Sequence, residues 1–581
     1  MKDDREPTLL TIALFTAKAS ILQILRMLED RAKHIECWQS VNPNSYPHLL
    51  CESRTPLWSD TTLSERSLQL GKVENLRCAL RHLQHITIPT GGLFSFWKHI
   101  GRATRRRGFV DGRQISEGCL IPAIGGGLCQ LSNALYDVAL QMGAEIVERH
   151  AHSRIVPGSS AEEGRDATVF WNYIDLRFRP QIPIRLHTYL TSDTLVVQVF
   201  TQKPTPKSSS LVLSLKLREV ISVAAHSCQS CGRTSCFRHK VTLPAIPYDP
   251  MNLQRTAYFL EEYWEEFQQY VVAHVQKCDT VCIPLEGERW KRPNYRWRIP
   301  PTVPLYAATL ATLRRAYQTR NSALQGAARQ TALLEGAEAL ARTYAKTLTP
   351  DITHLRISQV LLPYLWRDGH LGGRTFDVFL TRQPILHLQA LLDSAAQRFP
   401  ERKTLTDFRA PDWVASAEQE ALQSAQKVIT PHTYLASLFP DKVERLAWCV
   451  PNVEEGLQRG TQVLFPAPVV ARKGAYEVRE ALRNTRGSVY ILGRELEGEG
   501  FWEGVERVHL EQVNWEKIGC VVLPALVEDK PSLLLQALAR GIPVVTTPQC
   551  GLPESSLVSL VPYGEVAPLH KALRECQMQT R

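Results

Sequence analysis

Short apolar runs that alternate with helical stretches constrain the fold of the C-terminal half of this 581-residue chain. Such runs are Val489-Tyr-Ile-Leu-Gly493, Cys520-Val-Val-Leu-Pro524 and Pro543-Val-Val-Thr-Thr547. Parallel strands need a crossover between them, and a helix is the usual one, so alternation of this kind favours a parallel sheet covered by helices. The pattern therefore predicts α/β layers, and the sequence shows no internal repeat.

The first half has a different pattern, in which helical stretches precede alternating strands. A helix is predicted from Cys129 to Met142, and strand-like alternation occurs over 184–190 and 195–200. This arrangement predicts one compact α+β domain. The fold class expected for the whole chain is therefore multidomain, α+β followed by α/β.

Composition shifts divide the chain into six predicted segments. Prolines are dense between Lys291 and Pro304, which excludes regular structure there and indicates a linker. The predicted segments are an N-terminal arm at 1–65, the α+β domain at 66–205, a cysteine cluster with a helical region at 206–290, a linker with a helical segment at 291–354, and two Rossmann-like lobes at 355–450 and 451–581.

Charge and hydropathy limit the partners and the compartment. The net charge of +10 is spread along the chain, and no basic stripe with interleaved aromatic residues is present, so we expect no nucleic-acid partner. The apolar run Leu9–Phe15 is too short for a signal peptide, and no window approaches a membrane span. We therefore expect a cytoplasmic protein, with peripheral membrane contact left open and its 14 cysteines reduced, catalytic or bound to metal.

Three consecutive glycines, Gly125 to Gly127, precede Cys129 at the predicted start of a helix. The positive end of a helix dipole favours a thiolate, which is the reactive form of cysteine. His152 and Asp166 follow in the chain order of papain-like and transglutaminase-like enzymes, in which histidine takes the thiol proton and aspartate orients the histidine. Gln130 and the glycine amides are candidate oxyanion donors. The alternative is a buried cysteine behind a glycine turn with ordinary histidines.

A series of short motifs resembles the VanW family, accessory proteins named from vancomycin-resistance gene clusters. The motifs occur in order over about 140 residues and are Lys72-Val-Glu-Asn75-Leu, Gly91-Gly-Leu-Phe-Ser95-Phe-Trp, Gly101 with Gly108-Phe, Gly125 to Asn133, Glu148 to Ser153 and Asn172-Tyr-Ile-Asp175-Leu. The resemblance implies a VanW-like α+β domain and a link to peptidoglycan or glycopeptide resistance. It implies no defined chemistry.

A cysteine cluster downstream predicts a metal site. Its expected ligands are three thiolates and one imidazole, namely Cys228, Cys231, Cys236 and His239. A Cys-x-x-Cys pair followed by glycine is typical of structural zinc sites, and Cys278 and Cys282 are alternative ligands. An iron–sulfur cluster, a redox thiol pair and plain reduced cysteines stay open.

The residues from about 355 to 581 resemble glycosyltransferases of the two-Rossmann-domain type, which bind a sugar nucleotide between two lobes. The resemblance is carried by Leu464–Gly474, Leu523–Ala539 and Gly541–Thr547. It implies a donor site that includes Arg472, Lys473, Glu528 and Gln536. Lys473 would face the leaving diphosphate, and Glu528 would bind ribose or sugar hydroxyls at a helix start.

Two departures from the glycosyltransferase pattern bear on activity. Pro468 occupies the place of a usual arginine, and Gln536 that of a second glutamate. The first hypothesis is an enzyme of cell-envelope glycan or peptidoglycan-precursor metabolism, with a sugar-nucleotide donor, a glycan or glycolipid acceptor and acyl or amide chemistry at Cys129. The alternative is a non-catalytic assembly factor that binds glycans or proteins through a degenerate transferase domain.

Overall fold

The structure is a computed structural model, and its described residues divide into two compact units. It describes residues 9–39, 45–58, 63–116, 119–152, 164–204, 226–227, 255–321, 327–406, 409–453, 460–483, 488–498 and 500–578. The first unit comprises Met1–Arg255, Thr349–Thr353 and Asp368–Arg374. The second comprises Thr256–Leu348, His354–Arg367 and Thr375–Arg581.

The first unit mixes helices with short, mostly antiparallel strands, as the sequence predicts. Its helices are α1 (Leu9–Ala32), α2 (Leu63–Leu80), α3 (Phe96–Ile100) and α4 (Leu128–Gln141). Its strands are β1 (His48–Pro56), β2 (Thr87–Ile88), β3 (Phe94–Ser95), β4 (Asp111–Ser116), β5 (Cys119–Ile124), β6 (Glu145–Glu148), β7 (Arg177–Arg179), β8 (Ile184–Leu190), β9 (Thr194–Thr201) and β10 (His226–Ser227).

These strands form three small sheets around one hydrophobic core. An antiparallel sheet of order β1-β9-β8-β2 packs against α2 and α4, while β3-β7-β6 and β10-β5-β4 form the other two. Helix α4 forms because Leu131, Leu135 and Val138 recur at helical spacing, and all three are buried. The core therefore holds the N-terminus of α4 fixed relative to the sheets.

The second unit is built from strands that alternate with helices. Its first part contains β11 (Arg255–Phe259), α5 (Glu265–His274), β12 (Thr280–Ile283), β13 (Leu305–Ala307), α6 (Thr309–Asn321), α7 (Ala327–Ala345), β14 (Ile352–Ser358), α8 (Leu362–Arg367), β15 (Thr375–Phe379), α9 (Ile385–Arg398), α10 (Asp412–Ser424), β16 (Lys427–Thr430), α11 (Thr433–Ser437) and β17 (Val443–Arg445). Its second part contains β18 (Gln462–Phe465), α12 (Ala475–Leu482), β19 (Val489–Ile491), β20 (Arg507–His509), β21 (Ile518–Leu523), α13 (Ser532–Ala539), β22 (Val544–Thr546), β23 (Val558–Leu560) and α14 (Val566–Met578).

Two sheets organise this unit, and both have the strand order of a Rossmann fold. The first has the order β13-β12-β11-β14-β15-β16-β17, and the second β20-β19-β18-β21-β22-β23. All the registers described within them are parallel. Counted from its own first strand, each sheet runs 3-2-1-4-5-6, with a seventh strand on the first sheet. The predicted pair of Rossmann-like lobes therefore follows from the topology itself.

The first lobe starts earlier than the predicted boundary of 355. Its sheet includes β11, β12 and β13, which lie in segments predicted as a helical region and a linker. The proline-rich segment 291–304 connects β12 to β13, and its Trp297 and Val303 are buried in the core of the lobe. The segment contains a short 3-10 helix, Pro293–Tyr295, so it is not wholly irregular, and proline density does not show whether a segment packs. Within the described residues, no helix has both the length and the apolarity that a membrane span requires.

Candidate functional site

A glycine turn places the start of α4, and each of its glycines is needed for close packing. The side-chain amide of Asn75 donates to the carbonyls of Val110 and Gly126, at 3.0 and 2.9 Å, and fixes the turn. Gly127 caps α4 with a φ of 96°, and a Cβ there would lie 2.2 Å from the side chain of Lys72. A residue with a side chain would therefore not fit at this turn, where α2 and α4 meet.

Cys129 lies in the first turn of α4 and is partly buried. Its sulfur lies 3.7 Å from the hydroxyl of Thr168. The partial positive charge at the helix N-terminus favours an anion at this position. The cysteine is thus placed where the sequence predicts it, at the start of a helix that is anchored in the core.

An antiparallel register brings His152 opposite Asp166. The backbone of His150 pairs with that of Thr168, and the Thr168 amide donates to the His150 carbonyl at 2.8 Å. Two residues from this isolated bridge on each side, His152 Nδ1 lies 2.5 Å from Asp166 Oδ1, and the His152 amide donates to Oδ2 at 2.5 Å. With Nδ1 engaged by the carboxylate, Nε2 is left for the sulfur of Cys129.

The three side chains form one chain of contacts, from thiol to imidazole to carboxylate. Burial disfavours the Cys129 thiolate, but the hydrogen bond and charge of His152 outweigh it and hold the pKa of Cys129 below its ordinary value. Burial also disfavours the imidazolium, but hydrogen bonds to Asp166 and Cys129 raise the pKa of His152 to about 10. Both shifts favour the thiolate–imidazolium pair over the neutral thiol and imidazole.

Neighbouring polar side chains hold Asp166 in place, and the sequence analysis did not single them out. Asn133, one turn after Cys129 on α4, accepts a hydrogen bond from the Ala167 amide at 2.8 Å. Ser132 donates to the Ala167 carbonyl at 2.5 Å, and Arg149 donates to the Asp166 carbonyl at 2.6 Å. The sequence signal that could have identified Asn133 and Ser132 is their spacing from Cys129, because the same helix carries all three residues.

The predicted oxyanion role of Gln130 does not fit its position. Its side-chain amide donates to Thr55 Oγ1 at 3.0 Å and to the Pro56 carbonyl at 2.8 Å. Gln130 therefore ties α4 to the end of β1. Adjacent residues of a helix point in different directions, so Gln130 diverges from the side of the helix that carries the Cys129 sulfur.

The predicted metal ligands Cys228, Cys231, Cys236 and His239 lie outside the described residues. Among the residues that are described, no group of three or more histidine, cysteine or acidic side chains is arranged to hold a metal ion. Cys282, the alternative ligand, is buried in β12 with its sulfur 3.4 Å from Thr347 Oγ1. It is a core residue of the first lobe, because its strand lies inside the parallel sheet.

A second candidate site lies at the carboxyl ends of the two parallel sheets. Ligands of open α/β sheets bind at this edge, where the strand order reverses. In the second lobe the strand order reverses between β18 and β21. Glu528 lies in the segment that follows β21. Lys530 donates to the carbonyl of Tyr263 after β11 at 2.9 Å, so the two edges face each other across one cleft.

Lys473 and Glu528, predicted to bind the donor, contact each other in this cleft. Lys473 Nζ lies 3.0 Å from Glu528 Oε2 and donates to the Val527 carbonyl at 2.6 Å. His432 of the first lobe contacts the Glu528 carbonyl at 3.0 Å. Burial raises the pKa of the neighbouring Asp529, although nearby cations, including Arg472, oppose this.

The other two predicted donor residues are placed differently. Arg472 precedes Lys473 in a short helical turn, and its carbonyl accepts from the Leu526 amide at 2.8 Å. Gln536 is half-buried on α13, and its carbonyl accepts from Arg540 at 2.9 Å. Lys473 therefore contacts Glu528 directly, and Arg472 is held in the same loop through its backbone. Gln536 lies one turn into the helix that follows Glu528.

These features define a class of protein in which an α+β domain is followed by two Rossmann-like lobes. In the α+β domain, a cysteine, a histidine and an aspartate converge. Residues 71–200 match the family described as VanW like protein. The chain therefore contains a VanW-like domain, and Cys129, His152 and Asp166 all lie within it.

Two curated relatives share this part of the chain. The chain is 32% identical over 172 residues to the Vancomycin B-type resistance protein VanW of Enterococcus faecalis (strain ATCC 700802 / V583), covering 28% of this chain and 62% of that protein. It is 33% identical over 138 residues to the uncharacterized protein YoaR of Bacillus subtilis (strain 168), covering 23% and 42%. The chain thus spans less than two thirds of either relative.

Solved structures similar to the chain include glycosyltransferases. The lipopolysaccharide outer core galactosyltransferase WaaB is 12% identical with a TM-score of 0.33, covering 56% of this chain and 90% of that one. HepE of Anabaena in complex with UDP and glucose is 13% identical with a TM-score of 0.34, covering 56% and 91%. The assignment of the two lobes rests on their own strand order.

Proposed function

We propose that the VanW-like domain is a cysteine-dependent enzyme that hydrolyses or transfers acyl groups of amide substrates. The observation that carries the proposal is the thiol–imidazole–carboxylate chain of Cys129, His152 and Asp166. Each member comes from a different segment, and the fold brings all three together. A structural role would require neither the ionised pair nor the hydrogen-bonded order of these groups.

The proposed reaction has two steps that share one thioester. The Cys129 thiolate attacks the carbonyl carbon, and the proton on His152 passes to the departing amine as the carbon–nitrogen bond breaks. Water or an acceptor amine then attacks the thioester while His152 takes its proton, and the thiolate is released. Asp166 keeps Nδ1 protonated and the ring oriented. The backbone amide of Cys129, in the first turn of α4, is our candidate oxyanion donor.

The proposed substrates are amides of the cell envelope. This part of the proposal rests on the relative from Enterococcus faecalis, whose printed name connects that protein with vancomycin resistance. A sequence match that covers 28% of the chain supports a shared domain, and the substrate class is our extension of it.

The first experiment measures the reactivity of Cys129 in the intact protein. Iodoacetamide labelling at a series of pH values, followed by peptide mass spectrometry, compares Cys129 with the exposed Cys37 of the same sample. We expect the labelling of Cys129 to persist to lower pH than that of Cys37, because His152 lowers the pKa of the Cys129 thiol, and we expect His152→Ala to abolish this difference. Equal pH profiles for the two thiols would contradict the proposed ion pair.

The second experiment tests turnover. Purified protein is incubated with peptidoglycan fragments, and released or exchanged amines are followed by mass spectrometry, with Cys129→Ala as the inactive variant and Cys37→Ser as the matched control. Product formation by the wild type and the control variant alone would support the enzyme. No product from any fragment, with labelling as expected, would exclude the envelope substrate and leave the cysteine chemistry standing.

For the second unit we propose sugar-nucleotide binding in service of glycosyl transfer to a glycan or glycolipid acceptor. The specific observation is that Lys473 and Glu528 lie at the strand-order reversal of the second sheet, facing the first lobe. A cavity of about 430 Å³ nearby is lined by Leu526 but by neither Lys473 nor Glu528, so the proposal rests on the position of these two side chains and not on the cavity. A bound diphosphate would replace the Glu528 carboxylate as the partner of Lys473.

Calorimetric titration with uridine, guanosine, adenosine and thymidine diphosphate sugars tests this second proposal on the full chain. Saturable binding that Lys473→Ala weakens and the exposed-lysine variant Lys427→Ala leaves unchanged would identify the donor class. If none of the donors binds to the folded protein, the non-catalytic assembly role becomes the better account of the two lobes.

A further inference from the structure

Helix α1 docks onto the first unit through its polar side. Arg26 donates to both oxygens of Glu148 at 2.7 Å, and Asp30 accepts from Arg177 at 2.7 and 2.9 Å. The side chain of Asn172 donates to the carbonyl of Gln23 at 3.0 Å. These contacts fix the rotation of the helix about its own axis.

The opposite side of α1 is apolar and exposed. Six large aliphatic side chains of this helix are each between 51% and 63% exposed, namely Leu14, Ile21, Ile24, Leu25, Met27 and Leu28. At about 100° per residue they cover an arc of about 160°, centred opposite Arg26 and Asp30. Turning the helix over would bury this arc, but it would break the ion pairs. An exposed apolar face of this size marks an interaction surface.

The width and the charges of the arc favour one kind of partner. A helix–helix seam needs a narrower stripe, whereas a wide arc suits a helix that lies half-immersed in a lipid interface. Lys18 lies at one edge of the arc and Arg31 within it near the C-terminus, and both are exposed. Among the described side chains of α1, the arc carries no acid, and Glu29 beside it is paired with Lys33 at 2.6 Å. Two copies would therefore bring cations together without acidic partners.

We propose that α1 attaches the protein to an anionic lipid surface, with its aliphatic arc inserted among the acyl chains and Lys18 and Arg31 facing the headgroups. This role is independent of the chemistry at Cys129 and of the cleft between the lobes. The ion pairs of Arg26 and Asp30 keep the VanW-like domain attached to the lipid-bound helix. The N-terminal arm thereby gains a function that its sequence alone did not indicate.

Vesicle co-sedimentation of the full chain tests this proposal. We expect binding to equimolar phosphatidylcholine and phosphatidylglycerol vesicles, much weaker binding to phosphatidylcholine alone, and a loss of binding when salt rises from about 0.1 M to about 1 M. Ile24→Glu should weaken binding by more than about tenfold, because one large aliphatic side chain no longer transfers from water. Arg31→Gln should weaken binding to the mixed vesicles by about fivefold and leave the weak neutral binding unchanged.

The matched control is Val272→Glu, which places the same charge at an exposed aliphatic position of α5 in the other unit. It should bind vesicles as the wild type does, and equal thermal melting of all variants shows that they fold. The proposal is overturned if the wild type does not sediment with mixed vesicles, or if Ile24→Glu binds as well as the control. It is also overturned if light scattering shows a dimer that Ile24→Glu dissociates, since a second copy then covers the arc.

Discussion

The two candidate sites of this protein differ in what their charged groups contact. In the VanW-like domain, Cys129, His152 and Asp166 contact one another in order, and these contacts lower the pKa of Cys129 and raise the pKa of His152. In the cleft between the lobes, Lys473 is already paired with Glu528. In the proposed functions, the first arrangement acts with the partners it already has, whereas Lys473 exchanges Glu528 for a phosphate. The comparison teaches that the residue types of a candidate site do not show how it would act until the partners of each side chain are known.

The largest effect is expected at the nucleophile. Cys129→Ala should lower turnover of a cognate amide substrate by about 10⁶-fold, because removal of a nucleophile leaves only binding and oxyanion contributions. Rates are compared under single-turnover conditions, and mass spectrometry of the wild type should show the thioester. An unchanged rate would show that Cys129 is not the nucleophile and would leave the three side chains a structural role.

The next effect concerns the carboxylate that contacts His152. Asp166→Asn should lower kcat/KM by about 10³-fold, because the carboxylate no longer orients and charges His152. It should also lower the pKa of His152 from about 10 toward the ordinary value of 6.5. The imidazolium is lost as the pH rises through this pKa, so the ion pair should persist to about pH 10 in the wild type and fail near neutral pH in the variant. NMR titration of the imidazole checks this, with His34→Gln as a control far from the site.

A smaller effect is expected in the cleft. Lys473→Ala should weaken a sugar nucleotide by about tenfold to a hundredfold, the range for loss of one charge-assisted contact to a phosphate. Glu528→Gln sharpens the comparison, because it frees Lys473 while keeping the size of the side chain. If Lys473 must leave Glu528 to bind phosphate, Glu528→Gln should bind nucleoside diphosphate more tightly than the wild type in the same calorimetric assay.

The last effect is on stability and not on activity or binding, and it concerns the lysine behind the glycine turn. Burial, with a contribution from Arg113, lowers the pKa of Lys72 from 10.5 to about 7. Between these values the unfolded chain binds a proton that the folded chain does not, so wild-type stability should rise with pH across this window. Lys72→Met should be the more stable protein at pH 7, by about 1.4 kcal/mol for each unit of the window that it removes. Urea unfolding at several pH values measures this, and parallel curves for the two proteins would contradict it.

Local sequence signals located helix α4, whereas they did not locate the first strands of the first lobe. The glycine turn and the apolar spacing of Leu131, Leu135 and Val138 determine where α4 starts, and both signals are local. The meeting of His152 with Asp166 depends on a non-local register, which chain order suggested but spacing did not determine. The support from Asn133 and Ser132 was missed because a polar side chain on a helix does not reveal its partner.

The start of the first lobe was misplaced for a related reason. Strand β11 is five residues long, and β12 and β13, which extend the sheet on one side of it, follow at irregular distances along the chain. Strands this short have no clear periodicity, and the proline-rich segment between β12 and β13 has the composition of a linker. Burial of Trp297 and Val303 is a tertiary property. Composition therefore located the connection between β12 and β13, but it did not show that this connection belongs to the core of the first lobe.

The pairing of His150 with Thr168 also affects how relatives of this protein are recognised. What aligns His152 with Asp166 is this antiparallel bridge, because each of the two side chains lies two residues from its own bridge position. A shift of one position on either side of the bridge would turn one of the two side chains away from the other. A comparison of homologues should therefore align each residue with its own bridge position, rather than expect a constant distance along the sequence.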